Sequence, residues 1–330
     1  MTKYLPKAEL HLHIEGTLRP QLLFDLAAKH DVPLHYASVA EVEQAYDFRD
    51  LQAFLDLYYA GMGVLREEED FYRLTEEYLD VCRRENTVYV EIGFDPQAHT
   101  ERGLSFEVPY RGITQALKDA HAEWGLEYGL ILNLLRHLPE ESGLQAIAQA
   151  EACQADILAV GLDSSEAPFP PAGFVRAFDK ARALGLRTVA HAGEEGPASY
   201  IWSALNDLKV ERIDHGVRCD EDPALVRHLA ERQIPLTVCP LSNVRLCVVD
   251  DMSEHNILKL LDAGLLVTVN SDDPAYFGGY LEDNFEALAV SLAMDEGQRV
   301  QLIKNSFTAS FAPASFVAEQ IARVETLAGG

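Results

Sequence analysis

Short apolar runs recur along the chain, and each is followed by a segment in which apolar residues return every three or four positions. Eight runs stand out, at 8–14, 87–94, 127–135, 157–162, 186–191, 211–215, 234–239 and 265–271. Most are β-branched or Leu-rich without clean alternation, the pattern of strands covered on both faces of a parallel sheet. Between them the helical period shows at 20–30, 69–85, 110–124, 143–153, 171–184, 222–232 and 254–263. Gly125, Gly185 and Gly264 follow three of these segments, where a helix C-terminus favours a left-handed residue. Eight strand-then-helix units predict an α/β fold, a (β/α)8 TIM barrel. A doubly wound open sheet satisfies the same periodicity and stays the alternative.

The interval after the first run is longer than the others. Residues 20–86 hold three or four helical patterns, among them 50–65 (DLQAFLDLYYAGMGVL). The prediction is therefore a barrel with extra helices inserted after the first strand. Such an insertion leaves the barrel on its catalytic face and is expected to act as a pocket lid; plain outer packing is the other reading. No Pro/Ser/Gly-rich linker and no repeat interrupts the chain. A barrel of about 250 residues plus an insertion accounts for residues 1–330 as one domain.

Charge narrows the partners. The 53 Asp+Glu outnumber the 27 Lys+Arg, a net charge of −26, and nowhere do five basic residues cluster. That argues against a nucleic-acid backbone or an anionic membrane, both of which want a basic face. No run of 18 apolar residues exists, so no transmembrane helix is expected. The opening residues reach a polar cluster at Glu9 without a signal-peptide stretch, and the five cysteines are irregularly spaced with no CxxC. Both features lead to the expectation of a cytoplasmic protein with reduced thiols. A homo-oligomer is left open.

In a barrel the strand C-termini build the active site. Here they read His11-Leu-His13 then Glu15, His191-Ala-Gly-Glu194, Asp214-His215-Gly216 and Ser271-Asp272-Asp273. Four of the chain's eleven histidines fall at these ends. His11 and His13, two apart on a strand, face one side together. Two imidazoles turned into one cavity pack poorly but chelate well. With His191 and Asp272 they make a three-nitrogen, one-oxygen set suited to zinc (Zn2+), with a position left for water. The alternative is a group of unrelated buried histidines satisfied by hydrogen bonds. Two-metal barrel hydrolases often bridge their ions with a lysine after the fourth strand. No lysine lies between Lys118 and Lys180, so one ion is expected. His215 then remains as a group to take and pass a proton, and Glu194 as an acid whose pKa a dry pocket would raise. Asp273 is a candidate for meeting a substrate N–H or ring nitrogen. An HxE sequence at His99-Thr-Glu101 lacks the PCxxC that would make it a different zinc deaminase motif.

Five segments, HLHIEG, HAGE, RIDHG, CPLSN and SDDP, stand in this order on these strands. Together they resemble the adenosine/adenine deaminase family of metal-dependent barrel hydrolases, over residues 6 to 320. The resemblance implies that His11, His13, His191 and Asp272 bind one zinc ion. It implies that Glu194 protonates purine N1, that His215, with Asp272, takes a proton from the attacking water, and that Asp273 meets N7. Two departures bear on the substrate. Glu15 stands where adenosine deaminases carry an aspartate that reaches the ribose, and its extra methylene is expected to fill space that the sugar needs. Ser165 stands where they carry a glycine whose N–H meets N3, and its side chain is expected to narrow the pocket. The segment Glu91–Thr100 resembles the EIFFDPQTHT pattern of the family's adenine deaminase branch, with Gly93 in place of a Phe. The implied reaction is conversion of adenine to hypoxanthine and ammonia in purine salvage. Adenosine or an N6-substituted adenine of the cytokinin type is the alternative substrate. A non-catalytic nucleobase-binding protein is the alternative from another class.

Overall fold

The computed structural model describes residues 4–329. Eight strands run in chain order around one sheet, every neighbouring pair parallel. They are β1 (Lys7–His13), β2 (Thr87–Phe94), β3 (Glu127–Leu135), β4 (Ala159–Asp163), β5 (Arg187–Ala192), β6 (Arg212–His215), β7 (Leu236–Val238) and β8 (Val267–Val269). β1 and β8 meet through a single parallel bridge between Leu12 and Asp272. The molecule is thus a TIM barrel with a seam that is nearly open.

The strands are apolar on both sides because helices cover them outside and side chains fill them inside. The deepest filling is polar. Arg212 is fully buried, with Nη1 2.6 Å from Glu91 Oε2 and its guanidinium 4.7 Å from the centre of the Phe311 ring. Glu91 also accepts from the Tyr89 hydroxyl and the Phe311 N–H. Arg212 also donates to the Leu10 and Ala309 carbonyls, which offsets much of the cost of burying the pair.

The predicted ends of the last two strands are trimmed. β7 and β8 stop one and two residues short of the predicted ends, where the chain leaves the ladder toward the site residues, while β6 ends at His215 as predicted. His215 and Asp272 adopt φ of +61° and +63°, left-handed values that a residue with a Cβ occupies only at a cost. The helix expected over 171–184 starts as a tight 3-10 turn, Pro171–Phe174, before the α-helix Val175–Ala183. Prolines at 170 and 171 cannot donate to a regular first turn.

The long interval after β1 holds helices Pro20–Lys29, Val39–Ala45, Leu51–Gly61 and Glu68–Glu85. Their starts follow local chemistry. Ser38 and Asp50 accept the N–H groups of Glu41 and Ala53, and Glu67 with Asp70 forms a capping box. Leu51–Gly61 bears on function, because its Leu51, Phe54, Leu55, Tyr58 and Tyr59 cover the mouth of the barrel. No helix among the described residues is long and apolar enough to cross a membrane.

Candidate active site

Four donor atoms from three distant strands converge at the C-terminal end of the barrel. His11 Nε2 and His13 Nε2 lie 3.1 and 3.2 Å from His191 Nε2. Asp272 Oδ1 lies 3.3 Å from His11 Nε2 and 3.4 Å from His13 Nε2. The other ring nitrogens are held from behind. His11 Nδ1 is 3.1 Å from the Thr237 carbonyl, and His191 Nδ1 is 3.1 Å from that of Leu162. A carbonyl only accepts, so these imidazoles carry their proton on Nδ1 and turn the Nε2 lone pairs toward each other. Lone pairs at that distance repel unless a cation lies between them. Four ligands at about 2.0–2.1 Å around a tetrahedral ion are separated by about 3.3 Å, and the cluster matches this. His11, His13, His191 and Asp272 therefore fit a divalent metal. Burial lowers the pKa of His13 and His191, which keeps them in the neutral form a ligand needs. Asp272 feels the opposite pull. His11, His215 and His13 outweigh its burial and hold it well below the usual carboxylate range.

His13 has a different support. Its Nδ1 lies 3.2 Å from Asn133 Nδ2 and 3.4 Å from Asp163 Oδ2. Asn133 fits there because two strands carry glycine. A Cβ on Gly93 would come within 2.6 Å of Asn133 Nδ2, and one on Gly161 within 2.1 Å of its Oδ1. Gly93 therefore makes room beneath a metal ligand inside the barrel and does not border the main cavity.

Glu194 follows His191 by three residues in a turn that Glu166 organises. The Glu166 carboxylate accepts the N–H groups of Gly193, Glu194 and Gly196, at 2.7, 3.1 and 2.7 Å. Gly193 has φ +71°, and a Cβ there would strike Ile201 at 2.4 Å. Glu194 is held in the cavity wall, buried, with Asp272 and Glu166 near it. Burial first, then those two carboxylates, raises its pKa well above the usual value. His215 Nε2 stands 3.6 Å from Glu194 Oε2 and 3.7 Å from Asp272 Oδ2. Its far nitrogen is 3.4 Å from Asn243 Nδ2, and Asn243 is in turn 3.2 Å from His255. Asp273 is buried beside Gly16, and its Oδ1 has no hydrogen-bond partner among the described residues. Burial and Asp272 raise its pKa well above the usual range.

These groups line one cavity of about 360 Å³. Its wall includes His13, His191, Glu194, His215, Asp272 and Asp273, closed over by the apolar face of Leu51–Gly61. Two residues expected at the substrate lie elsewhere. Glu15 is fully buried behind the wall, with Oε1 3.1 Å from the Asp95 N–H and 2.8 Å from His99 Nε2. Its longer side chain reaches past the cavity instead of filling it. The Ser165 hydroxyl turns away to the Ala167 carbonyl, 3.1 Å off, and the neighbouring Ser164 lines the cavity instead. Ser164 has φ +72°, which swings its Oγ to Tyr59 and His137. Asp95, Asp163, Tyr58 and Tyr59 also line the cavity and had not been singled out. Asp95 and Asp163 lie at the ends of β2 and β4, the first just past its strand, and these strands carry no histidine, so the metal pattern does not lead to them.

The model of the adenosine deaminase family matches residues 6–327. The chain belongs to that family. Among relatives, the adenine deaminase of Hahella chejuensis is 55% identical over 323 residues, 98% of this chain and 97% of that protein. The adenine deaminase of Ectopseudomonas mendocina is 57% identical over 308 residues, 93% of this chain and 98% of that one. The solved adenine deaminase of Arthrobacter aurescens superposes with a TM-score of 0.97 at 47% identity, covering 99% of this chain and 100% of its own. A zinc-containing amidohydrolase from Burkholderia ambifaria superposes at 0.85 with 26% identity, covering 100% and 94%. The adenosine deaminase family fold therefore runs through the whole described chain.

Proposed function

We propose that this chain catalyses the hydrolytic deamination of adenine to hypoxanthine and ammonia, a purine salvage reaction, with one zinc ion per chain. One observation carries the reading: Glu194, His215 and Asp273 converge, in a single cavity, on the cluster of three histidines and Asp272. The names of relatives at 54–57% identity support adenine as the substrate. Five unpaired thiols suit a reducing compartment such as the cytoplasm.

A divalent ion held by His11, His13, His191 and Asp272 supplies the Lewis acidity that makes water a nucleophile near neutral pH. The protein does the rest by holding and moving protons. Glu194 meets the ring in its acid form, because burial keeps its carboxyl protonated. It donates to N1 as water adds at C6, so negative charge does not build up on the ring. Asp272 turns Oδ1 to the histidines and Oδ2 toward His215. That pair takes the proton of the attacking water, and His215 passes it toward the departing amine. Asp273, also kept protonated by burial, donates to N7. Leu51, Phe54, Tyr58 and Tyr59 act as the lid, excluding water and strengthening each of these interactions. Glu15 supports the wall through Asp95 and His99, and Ser165 shapes the turn after β4.

The test compares adenine, adenosine and N6-isopentenyladenine by ultraviolet absorbance and ammonia release. Adenine should have the highest kcat/KM. A higher value for adenosine would overturn the reading.

A further inference from the structure

Two carboxyl groups in the cavity have no part in the reaction above. Asp95 directly follows β2 and Asp163 ends β4, and they are 1% and 2% exposed. Both line the cavity. They lie within hydrogen-bonding reach of each other, yet each keeps its Oδ1 without a partner among the described residues. A buried carboxyl oxygen with no donor is costly, so its donor is expected from a ligand.

The backbone at Asp95 is fixed from behind by a buried chain. Its N–H donates to Glu15 Oε1. His99 Nδ1 takes a hydrogen bond from Arg102 at 2.8 Å, which leaves the His99 proton on Nε2, 2.8 Å from the same Glu15 oxygen. The His99 Nε2–H and the Asp95 N–H are both spent on Glu15, so the Asp95 side chain stays free toward the cavity.

Adenine has four ring nitrogens. With C6 at the histidine cluster, N1 at Glu194 and N7 at Asp273, the edge holding N3 and N9 is unassigned. In the free base that edge carries an N–H; in a nucleoside it carries the sugar. The polar groups left on the wall are Asp95, Asp163, Ser164, Tyr58 and Tyr59. The Tyr59 hydroxyl is already given to Ser164 at 2.9 Å. We infer that Asp95 is a specificity-determining residue that accepts a hydrogen bond from the five-membered-ring N–H of a purine base unsubstituted at N9, with Asp163 holding its carboxyl in place. This rests on the base-deaminase reading and adds the group that recognises a free base. A nucleoside brings no N–H for Asp95 and directs its sugar at the two carboxyls.

The experiment uses zinc-replete protein with adenine and 9-methyladenine. Wild type should prefer adenine about a thousandfold or more, as expected of a site built around a substrate N–H. Asp95→Leu keeps the wall filled but removes the acceptor. It should lower kcat/KM for adenine about 10- to 100-fold, mostly through KM, while barely changing 9-methyladenine. Asp95→Asn, whose amide oxygen still accepts, should recover much of the loss. A wild-type preference under about tenfold overturns the inference without any variant, as does an unchanged preference in Asp95→Leu. The donor atoms of His13, Asp95 and Asp163 lie within 4.8 Å of one another. Two metal ions per wild-type chain, falling to one in the variant, would therefore also overturn it. Failure of the parent reading is distinct, since wild type would then turn over adenosine with a higher kcat/KM than adenine, or not deaminate adenine at all.

Discussion

Replacing Glu15 by Gln removes a charge that the fold accommodates poorly. The side chain is fully buried, its Oε1 takes two hydrogen bonds, and its Oε2 has no partner among the described residues. Burial raises its pKa from 4.5 to about 7. The folded state thus holds this proton more tightly than the unfolded chain. The stability it contributes is fully present below about pH 4.5 and is lost as pH rises through about 7. The difference, 7 − 4.5, or about 2.5 units, corresponds to about 3 kcal/mol at most. Glutamine accepts the same two hydrogen bonds through its carbonyl oxygen and has no proton to lose. Urea unfolding of both proteins, from about pH 4.5 to 8, reads this effect together with the relief of Asp95, whose carboxyl the Glu15 charge also pushes up. The wild-type curve should fall relative to Glu15→Gln by up to about 3 kcal/mol across that window. Parallel curves would refute the reasoning. KM for adenine should stay near wild type, because the carboxyl group faces His99 and not the cavity.

Glu194→Gln should keep its metal and lose about 10²- to 10⁴-fold in kcat, since an amide cannot deliver the N1 proton; near-normal turnover would remove that role. Asp272→Ala should copurify with less metal by elemental analysis, and full occupancy would take it out of the ligand set. Gly93→Val forces Asn133 away from His13, so metal loss to a chelator should be about 10- to 100-fold easier; unchanged retention would mean that Asn133 does not orient the ligand. Arg212→Met leaves Glu91 buried without its cation and should cost about 3–5 kcal/mol in chemical denaturation, much of it recovered in Arg212→Met with Glu91→Gln. Equal losses in the two variants would rule out the stranded charge as the cause.

The barrel was legible because its strands are short, apolar and separated by capped helices. β2 and β3 have the predicted limits, and the remaining strands shift by one or two residues at an end. The largest shift at a C-terminal end is at β8, just before the backbone bends at Asp272. The metal set could be read because histidine is rare and its position at a strand end is informative. The carboxylates were harder. An aspartate in a loop is common, and nothing local distinguishes Asp95, aimed at the cavity, from Glu15, aimed behind it. That difference depends on His99 and Arg102, more than 80 residues from Glu15 in the chain. Glu166 was equally silent, because its three backbone donors lie in the turn after β5, 27 to 30 residues on. Gly93 stands where the branch pattern has a Phe, and only its neighbour Asn133 shows which side of the strand is relieved.

The nearly open seam between β1 and β8 has a consequence for assembly. The first and last strands are joined by little more than the Leu12–Asp272 bridge, with Asp272 N–H on the His11 carbonyl and His13 N–H on that of Asp272. The backbone bonds that fasten the ring therefore belong to ligand residues themselves, and about 260 residues must be threaded before they can form. An ion gripping His11, His13 and Asp272 would serve as a clasp as well as a reagent. It would find no complete grip on a partly folded or truncated chain, so the reactive centre would come into being only when the ring is shut.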